Sequence, residues 1–347
     1  MTPAPQSPLY VLGSGMVTAV GLDAPSSCAA LRARLDGFQE TRFPGRDGTW
    51  IIGAPVPMPR NWMGTRRLAH MCAAAICEVF DQVPEAEGRT RLILCLAEDG
   101  RAGRLITDSD RFLRMIGEIV ALPEMPRVHI VAHGRPSGFV ALQTARRLLA
   151  EGADYVMILG VDSYLTTPAI GQYHGNARLL TPTTPDGFIP GEAAAAVLCA
   201  ARHRGGLAIS GLGLAREPAP IYNGRDAEGF DLPLRGDGMT RAYSAAFAEA
   251  ALSHSDIVLK IGDHSGESFW FRQTALAMMR TQRARSEVQP IWAVGASLGN
   301  VGAAVVPLML GWALAAAEKR YGPQGPVLIE ASGDDGACGA LVAGAAA

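Results

Sequence analysis

Apolar positions recur along this chain with two periods. From Tyr10 to Gly21, β-forming residues alternate with Gly13, Gly15 and Gly21, which predicts a strand, a turn and a second strand. Ser26–Leu35 reads as a helix, and Arg66–Phe80 has its apolar residues at helical spacing. Arg91–Leu96 is a compact apolar run of the kind found in buried strands, and Arg111–Leu122 reads as a helix. Val128–Ala132 then predicts a strand, Ser137–Glu151 a helix and Tyr155–Gly160 a strand.

The second half has the same texture. Ala193–Ala200 and Leu207–Leu212 read as strands, Met239–Leu252 as a helix and Ile257–Ile261 as a strand. Glu267–Arg285 follows as a helix, Trp292–Val294 as a short strand and Gly302–Glu318 as a helix; Val327–Glu330 and Gly339–Val342 close the chain as strands. This alternation is the pattern of an α/β protein. Two strand–turn–apolar-helix units, around Arg135 and Asn300, stand at equivalent points. They suggest an internal duplication whose halves meet near Ala201–Gly206. No short-period repeat of solenoid type is present.

Composition narrows the function classes. The 347 residues are 48% hydrophobic and 18% charged, with a formal net charge of −2. That balance favours a packed globular protein over a disordered one. No basic stripe of the kind that binds nucleic acid stands out. The six cysteines, Cys28, Cys72, Cys77, Cys95, Cys199 and Cys338, form no CxxC pair and no metal-spaced cluster. They read as buried thiols of a cytoplasmic protein, with no metal and no cofactor expected. Met1–Tyr10 lacks the basic and apolar regions of a signal peptide. Val301–Ala317 is uncharged but short for a membrane span and contains Pro307, so a buried central helix is the better reading. No GxGxxG or phosphate loop occurs; Gly160, Gly187 and Gly191 are read as turn residues.

Arg135 draws attention by position. In Arg-Val-His-Ile-Val-Ala-His-Gly-Arg-Pro-Ser-Gly, Arg127–Gly138, a β-branched run meets a tight turn and then an Ala/Leu-rich helix. The turn residue of such an elbow sits at a helix N-terminus, where a thiolate or alkoxide is stabilised. An arginine there keeps its proton and cannot attack a thioester. A cation at a helix N-terminus is disfavoured by about 0.3–1 kcal/mol, so Arg135 is expected to hold an anion, with Asp263, Glu267 and Glu192 as candidates. The alternative is a surface arginine after a turn. His133 reads as a structural neighbour of the turn, and Ser137 as the cap of the helix. Cys95, at the end of a buried strand, is a conceivable substitute nucleophile; Cys72 and Cys77 read as core packing.

Five segments, in order, resemble the β-ketoacyl synthases of the thiolase superfamily across nearly the whole chain. They are Tyr10–Gly21, Ser137–Ser163, Asp186-Gly-Phe-Ile-Pro-Gly-Glu-Ala, Trp292-Ala-Val-Gly-Ala-Ser-Leu-Gly-Asn-Val-Gly and Gly333-Asp-Asp-Gly-Ala-Cys-Gly. The resemblance implies a thiolase-like fold, with two duplicated halves, 1–200 and 201–347, in five α-β-α-β-α layers. That family uses an elbow cysteine to take an acyl group from a carrier-protein or coenzyme A thioester, and two further side chains to stabilise the enolate. By the resemblance, the cysteine position falls on Arg135, the first partner on His264 and the second on Asn300. Phe188, Glu192 and Glu267 are carried over as substrate-binding residues. A dimer is implied, either a homodimer or a heterodimer with an active synthase, covering exposed sheet edges.

Three functions follow from this reading. One is a partner or regulatory subunit without condensing activity. Another is an acyltransferase or malonyl-thioester decarboxylase that uses Arg135, His264 and Asn300 without a cysteine. The last is a structural module with a filled pocket. The plain alternatives are that His264 is an ordinary loop histidine and that Asn300 is a helix cap.

Overall fold

The computed structural model describes residues 9–346 except 46–47, 122–127, 203–204, 222–228, 231 and 285–288. Leu122, Arg127, Arg285, the first residues of Met1–Tyr10 and the middle of Ala201–Gly206, all named in the sequence expectations, lie outside the described residues.

In chain order, β1 (Leu9–Val17) leads to α1 (Ala24–Arg32), the hairpin of β2 (Gln39–Pro44) and β3 (Trp50–Gly53), and α2 (Gly64–Gln82). Next come β4 (Thr90–Cys95), α3 (Ser109–Val120), β5 (His129–Val131), α4 (Ser137–Ala150), β6 (Tyr155–Ser163) and α5 (Thr167–Gly175). β7 (Glu192–Ala200) and β8 (Leu207–Arg216) precede α6 (Asp237–Ala250), β9 (Leu259–Gly262), α7 (Ser268–Thr281) and β10 (Ile291–Ala293). The short α8 (Gly295–Leu298), then α9 (Val305–Lys319), β11 (Val327–Ser332) and β12 (Ala337–Ala345) complete the chain.

Ten strands form one sheet in the order β10-β9-β11-β12-β8-β1-β7-β6-β4-β5. Read inward from either edge, the two sets of five have the same order in chain sequence. The sets meet where β1 pairs with β8 over only three residue pairs, Leu9–Ile209 to Val11–Leu207. α4 and α9 lie against both sets of strands, while α2 with α3 and α6 with α7 cover the outer faces. This gives five α-β-α-β-α layers.

Burial explains why these residues form these elements. All nine residues of β7 are buried, as a strand covered on both faces requires. α9 is apolar nearly all round because sheet packs on both its sides. The stretch Gly302–Lys319 is long and apolar enough to cross a membrane by composition, but 78% of it is buried inside the fold.

Some expectations are corrected. Thr18–Gly21 is a tight turn closed by one bridge, so the second strand anticipated up to Gly21 does not form. Cys77 is exposed while Cys72 is buried. Five helical residues rotate by about 140°, which places the two thiols on different faces. Ser137 does not cap α4. Its Oγ accepts from His133 N at 2.9 Å and donates to Leu96 O at 3.4 Å, stitching the turn to β4.

Candidate functional site

The elbow begins where β5 ends. Gly134 has φ +62°, and a Cβ there would lie 2.0 Å from Glu98 Oε1, so only glycine fits the turn. Arg135 follows at the start of α4. It is 2% exposed, so it is not a surface arginine. Its Nη1 lies 3.2 Å from Asp263 Oδ2 and its Nη2 3.5 Å from Asp334 Oδ1. Its guanidinium carbon stands 3.9 Å from the centre of the Trp270 ring. Burial works against the Arg135 charge, but Asp263 and Asp334 more than offset it and raise its pKa.

The anion expected beside Arg135 is therefore present, and of the three candidates it is Asp263. Glu267 and Glu192 have other partners. Glu267 takes Arg178 in a bidentate pair, Nε at 2.6 Å and Nη2 at 2.8 Å, and accepts from Trp270 Nε1 at 2.9 Å. Glu192 accepts from Val56 N at 2.9 Å, from Arg67 Nε at 2.9 Å and from Ser163 Oγ at 3.1 Å. Phe188 is fully buried and meets Tyr164 and Tyr173 edge-on, with centroids 5.5 and 5.1 Å away.

Two residues absent from the sequence expectations complete the cluster. Arg178 Nη1 donates to Asp334 Oδ2 at 2.6 Å, so Asp334 lies between Arg135 and Arg178. Arg101 is buried and makes a bidentate pair with Asp162, with Nη1 2.8 Å from Oδ2, while its guanidinium stacks 4.2 Å over Tyr164. Burial pushes the Asp334 carboxyl upward, but Arg178, then Arg135 and Arg101, hold it below the usual range. For Asp263 burial wins, and its pKa is raised against the pull of Arg135 and His264.

His264 is turned away into a neighbouring cluster. Its Nε2 lies 3.1 Å from Thr274 Oγ1 and 3.2 Å from Glu330 Oε1. Glu330 also accepts from Thr274 Oγ1 at 2.7 Å, from Lys260 Nζ at 2.7 Å and from the Tyr243 hydroxyl. Because Thr274 gives its proton to Glu330, its oxygen is free to accept from His264 Nε2–H. Burial opposes the Glu330 charge, yet Lys260 and His264 hold its carboxyl well below the ordinary range. Asn300 is 4% exposed, and its Oδ1 accepts from Gly302 N at 3.1 Å. It closes the turn before α9, close to the local role that asparagine commonly takes. Gly302 (φ +54°) packs directly on Asp162, whose Oδ2 also accepts from Ala303 N at 3.1 Å.

The folded chain thus gathers Arg135, Glu267 and Phe188 around Arg178 and Asp334. It places His264 on the Glu330 side and Asn300 on the Arg101–Asp162 side. Cys95 is fully buried, and burial raises its thiol pKa, which leaves it protonated and shielded. Among the described residues, no group of three or more His, Cys, Asp or Glu could hold a metal ion.

No family model matches this chain, and no curated protein matches it. Solved structures do. A ketosynthase in complex with its chain length factor from Xenorhabdus doucetiae is 15% identical with a TM-score of 0.72, covering 100% of both chains. The ishigamide ketosynthase/chain length factor is 16% identical with a TM-score of 0.77, covering 98% of this chain and 99% of its own. A β-ketoacyl synthase from Burkholderia phymatum is 17% identical with a TM-score of 0.71, covering 98% of this chain and 100% of its own. At such identities the likeness speaks for architecture alone, and it is full-length: this chain has the thiolase-like ketosynthase fold.

Proposed function

We propose that this chain is a ketosynthase-like subunit without condensing activity that works as the partner or regulator of an acyl-thioester enzyme. One observation carries this reading. The elbow residue Arg135 is buried and fixed between Asp263, Asp334 and the Trp270 ring. In the reading proposed here, Arg135 occupies the nucleophile's position. A guanidinium locked in that way supplies neither a nucleophile nor a free cation for an incoming carboxylate. His264 Nε2 is engaged by Thr274 and Glu330 and Asn300 Oδ1 by its own turn, which supports this reading over the decarboxylase alternative.

The proposed partners are a second ketosynthase-like chain, identical or catalytically active, and an acyl carrier protein or a coenzyme A thioester. Chains of this fold solved as ketosynthase and chain length factor support pairing, and a type II ketosynthase solved with its acyl-carrier protein supports the carrier. The halves 1–200 and 201–347 are read as one duplicated unit, and the compartment as the cytoplasm. The test is product formation from malonyl and acyl thioesters, by this chain alone and after co-expression with a cysteine-containing ketosynthase. Product from the pair with none from the single chain is expected. Condensation by the single chain would end the reading.

A specific feature also favours the filled-pocket reading. Phe188, Tyr164 and Tyr173 are buried and pack together beneath the Arg101 and Arg178 guanidiniums. Under both readings Arg135 does no covalent chemistry.

A further inference from the structure

A cleft of about 560 Å³ opens at the start of α2, lined by Arg42, Arg67 and Glu192 among others. Its size falls within the range of roughly 300–1,000 Å³ typical of small-molecule sites. Its charges do not balance. Arg67 gives Nε and Nη2 to Glu192 and to Val56 O, while its Nη1 makes no hydrogen bond among the described residues. Among the described residues Arg42 has no carboxylate within ion-pair distance. Its Nη1 and Nη2 each lie 3.9 Å from the Met63 thioether, a weak acceptor. Two guanidiniums therefore face one carboxylate.

Much of the rest of the wall is apolar or aromatic, with Thr41, Asn61, Ser163, Thr166 and Thr167 between. Phe43, Leu105 and Leu165 line it, and Trp62 adds a ring held flat against His70 at 3.5 Å. The N-cap and first residue of α2 (Met63, Gly64) and of α5 (Thr166, Thr167) also line the cleft, and helix starts favour negative charge. α2 begins without a side-chain cap, so its leading N–H groups are not satisfied by one.

We infer that this cleft binds a small organic anion with a flat apolar body and a phosphate or carboxylate head, the head on Arg42 and Arg67 Nη1 and the body against Trp62, Leu105 and Leu165. The elbow residues do not line this cleft, and the site stands whether or not the chain condenses thioesters. The head supplies the charge that the cleft lacks, and the body covers the apolar wall. The partly open setting makes binding sensitive to salt.

The test is calorimetric titration of the full chain with 1-naphthyl phosphate, 1-naphthol and inorganic phosphate. Saturable one-to-one binding of the phosphate ester is expected, roughly tenfold or more tighter than either half. Arg42→Gln, on an exposed strand, is expected to bring the ester to the level of naphthol without changing the melting temperature. Leu105→Trp is expected to abolish binding of the ester by occupying the space of its body. Equal binding of naphthol and its phosphate would overturn the inference. So would an Arg42→Gln variant that binds as the parent does, or the absence of saturable binding up to millimolar ester.

Discussion

Arg135 and Asp263 form an ion pair at 3.2 Å with side chains only 3% and 8% exposed, joining the turn before α4 to the loop after β9. The two residues come from opposite sets of strands, so the pair ties the halves of the fold together at the elbow. A buried pair of this kind adds little net stability over an apolar isostere, but breaking one side is severe because the other charge is left uncompensated.

Arg135→Ala is therefore expected to destabilise the chain by about 3–5 kcal/mol, leaving Asp263 buried without its cation. Arg135→Met with Asp263→Asn is expected to recover much of that loss. Urea unfolding of Arg135→Ala and of the double variant checks this, and adding the Arg135→Met and Asp263→Asn singles closes the cycle that gives the pair's coupling. A loss under about 1 kcal/mol for Arg135→Ala would mean the pair is solvated in the working protein.

Glu330 gathers four donors, so its removal strands Lys260 in the core. Glu330→Ala is expected to cost about 3–5 kcal/mol or to prevent folding. Lys260→Met is milder in packing but leaves Glu330 without its main counter-charge. The sign of the pH dependence follows. Glu330 and Asp334 have depressed folded pKa values, so their contribution is present above the unfolded carboxylate range near pH 4 and is lost as pH falls through the folded values. Thermal melts of the parent chain are expected to fall steeply on the acid side of pH 4. A flat profile there would contradict the ion-pair assignments.

Glu98 has the opposite sign. Burial is the main cause that raises its pKa, and among the described residues Oε2 has no hydrogen-bond partner. Holding it ionised costs stability at neutral pH, a cost removed once the pH is below its unfolded value. Glu98→Gln is expected to melt higher than the parent at pH 8, with the difference closing towards pH 4. A constant difference across that range would show that Glu98 does not titrate in this way.

Gly134→Ala tests the elbow itself. The new Cβ would need both a positive φ and the space of the Glu98 carboxylate, and a destabilisation of about 1–3 kcal/mol is expected. Gly134→Ala in a Glu98→Ala background is expected to cost less, since only the backbone strain remains. Chemical denaturation of the three variants measures this.

The α/β alternation was legible because its main elements obey simple periods, while the five layers were implied by the family resemblance. β7 and α9 are apolar throughout since both faces are covered, and the strand–turn–helix around Arg135 stands out from its β-branched lead and Pro136. The β2–β3 hairpin was missed because β2 is a peripheral strand whose residues are half-buried or exposed and carry no apolar alternation. α5 was missed because Pro168, Gly171 and Gly175 weaken its helical signal, although Thr166 before Pro168 is a start signal that could have found it. An anion for Arg135 was expected from the charge argument at a helix start, with Asp263 one of three candidates. Arg101 and Arg178 were not found, because nothing local marks an arginine whose partners arrive from distant segments. Asp334 lay in a quoted glycine turn, and only the fold shows that its carboxylate lies between two buried guanidiniums.

The most direct measurement is intact-protein mass after incubation with malonyl and acyl thioesters, with free thiol release followed in parallel, for the parent chain and for Arg135→Cys. With Arg135 fixed by Asp263, Asp334 and Trp270, the parent is expected to gain no acyl mass and to release no thiol. The Arg135→Cys variant tests whether the elbow position still receives an acyl group once a thiol stands there. An acyl adduct on the parent chain, or thiol release that Arg135→Ala abolishes, would contradict the proposal that this subunit does no covalent or decarboxylative chemistry.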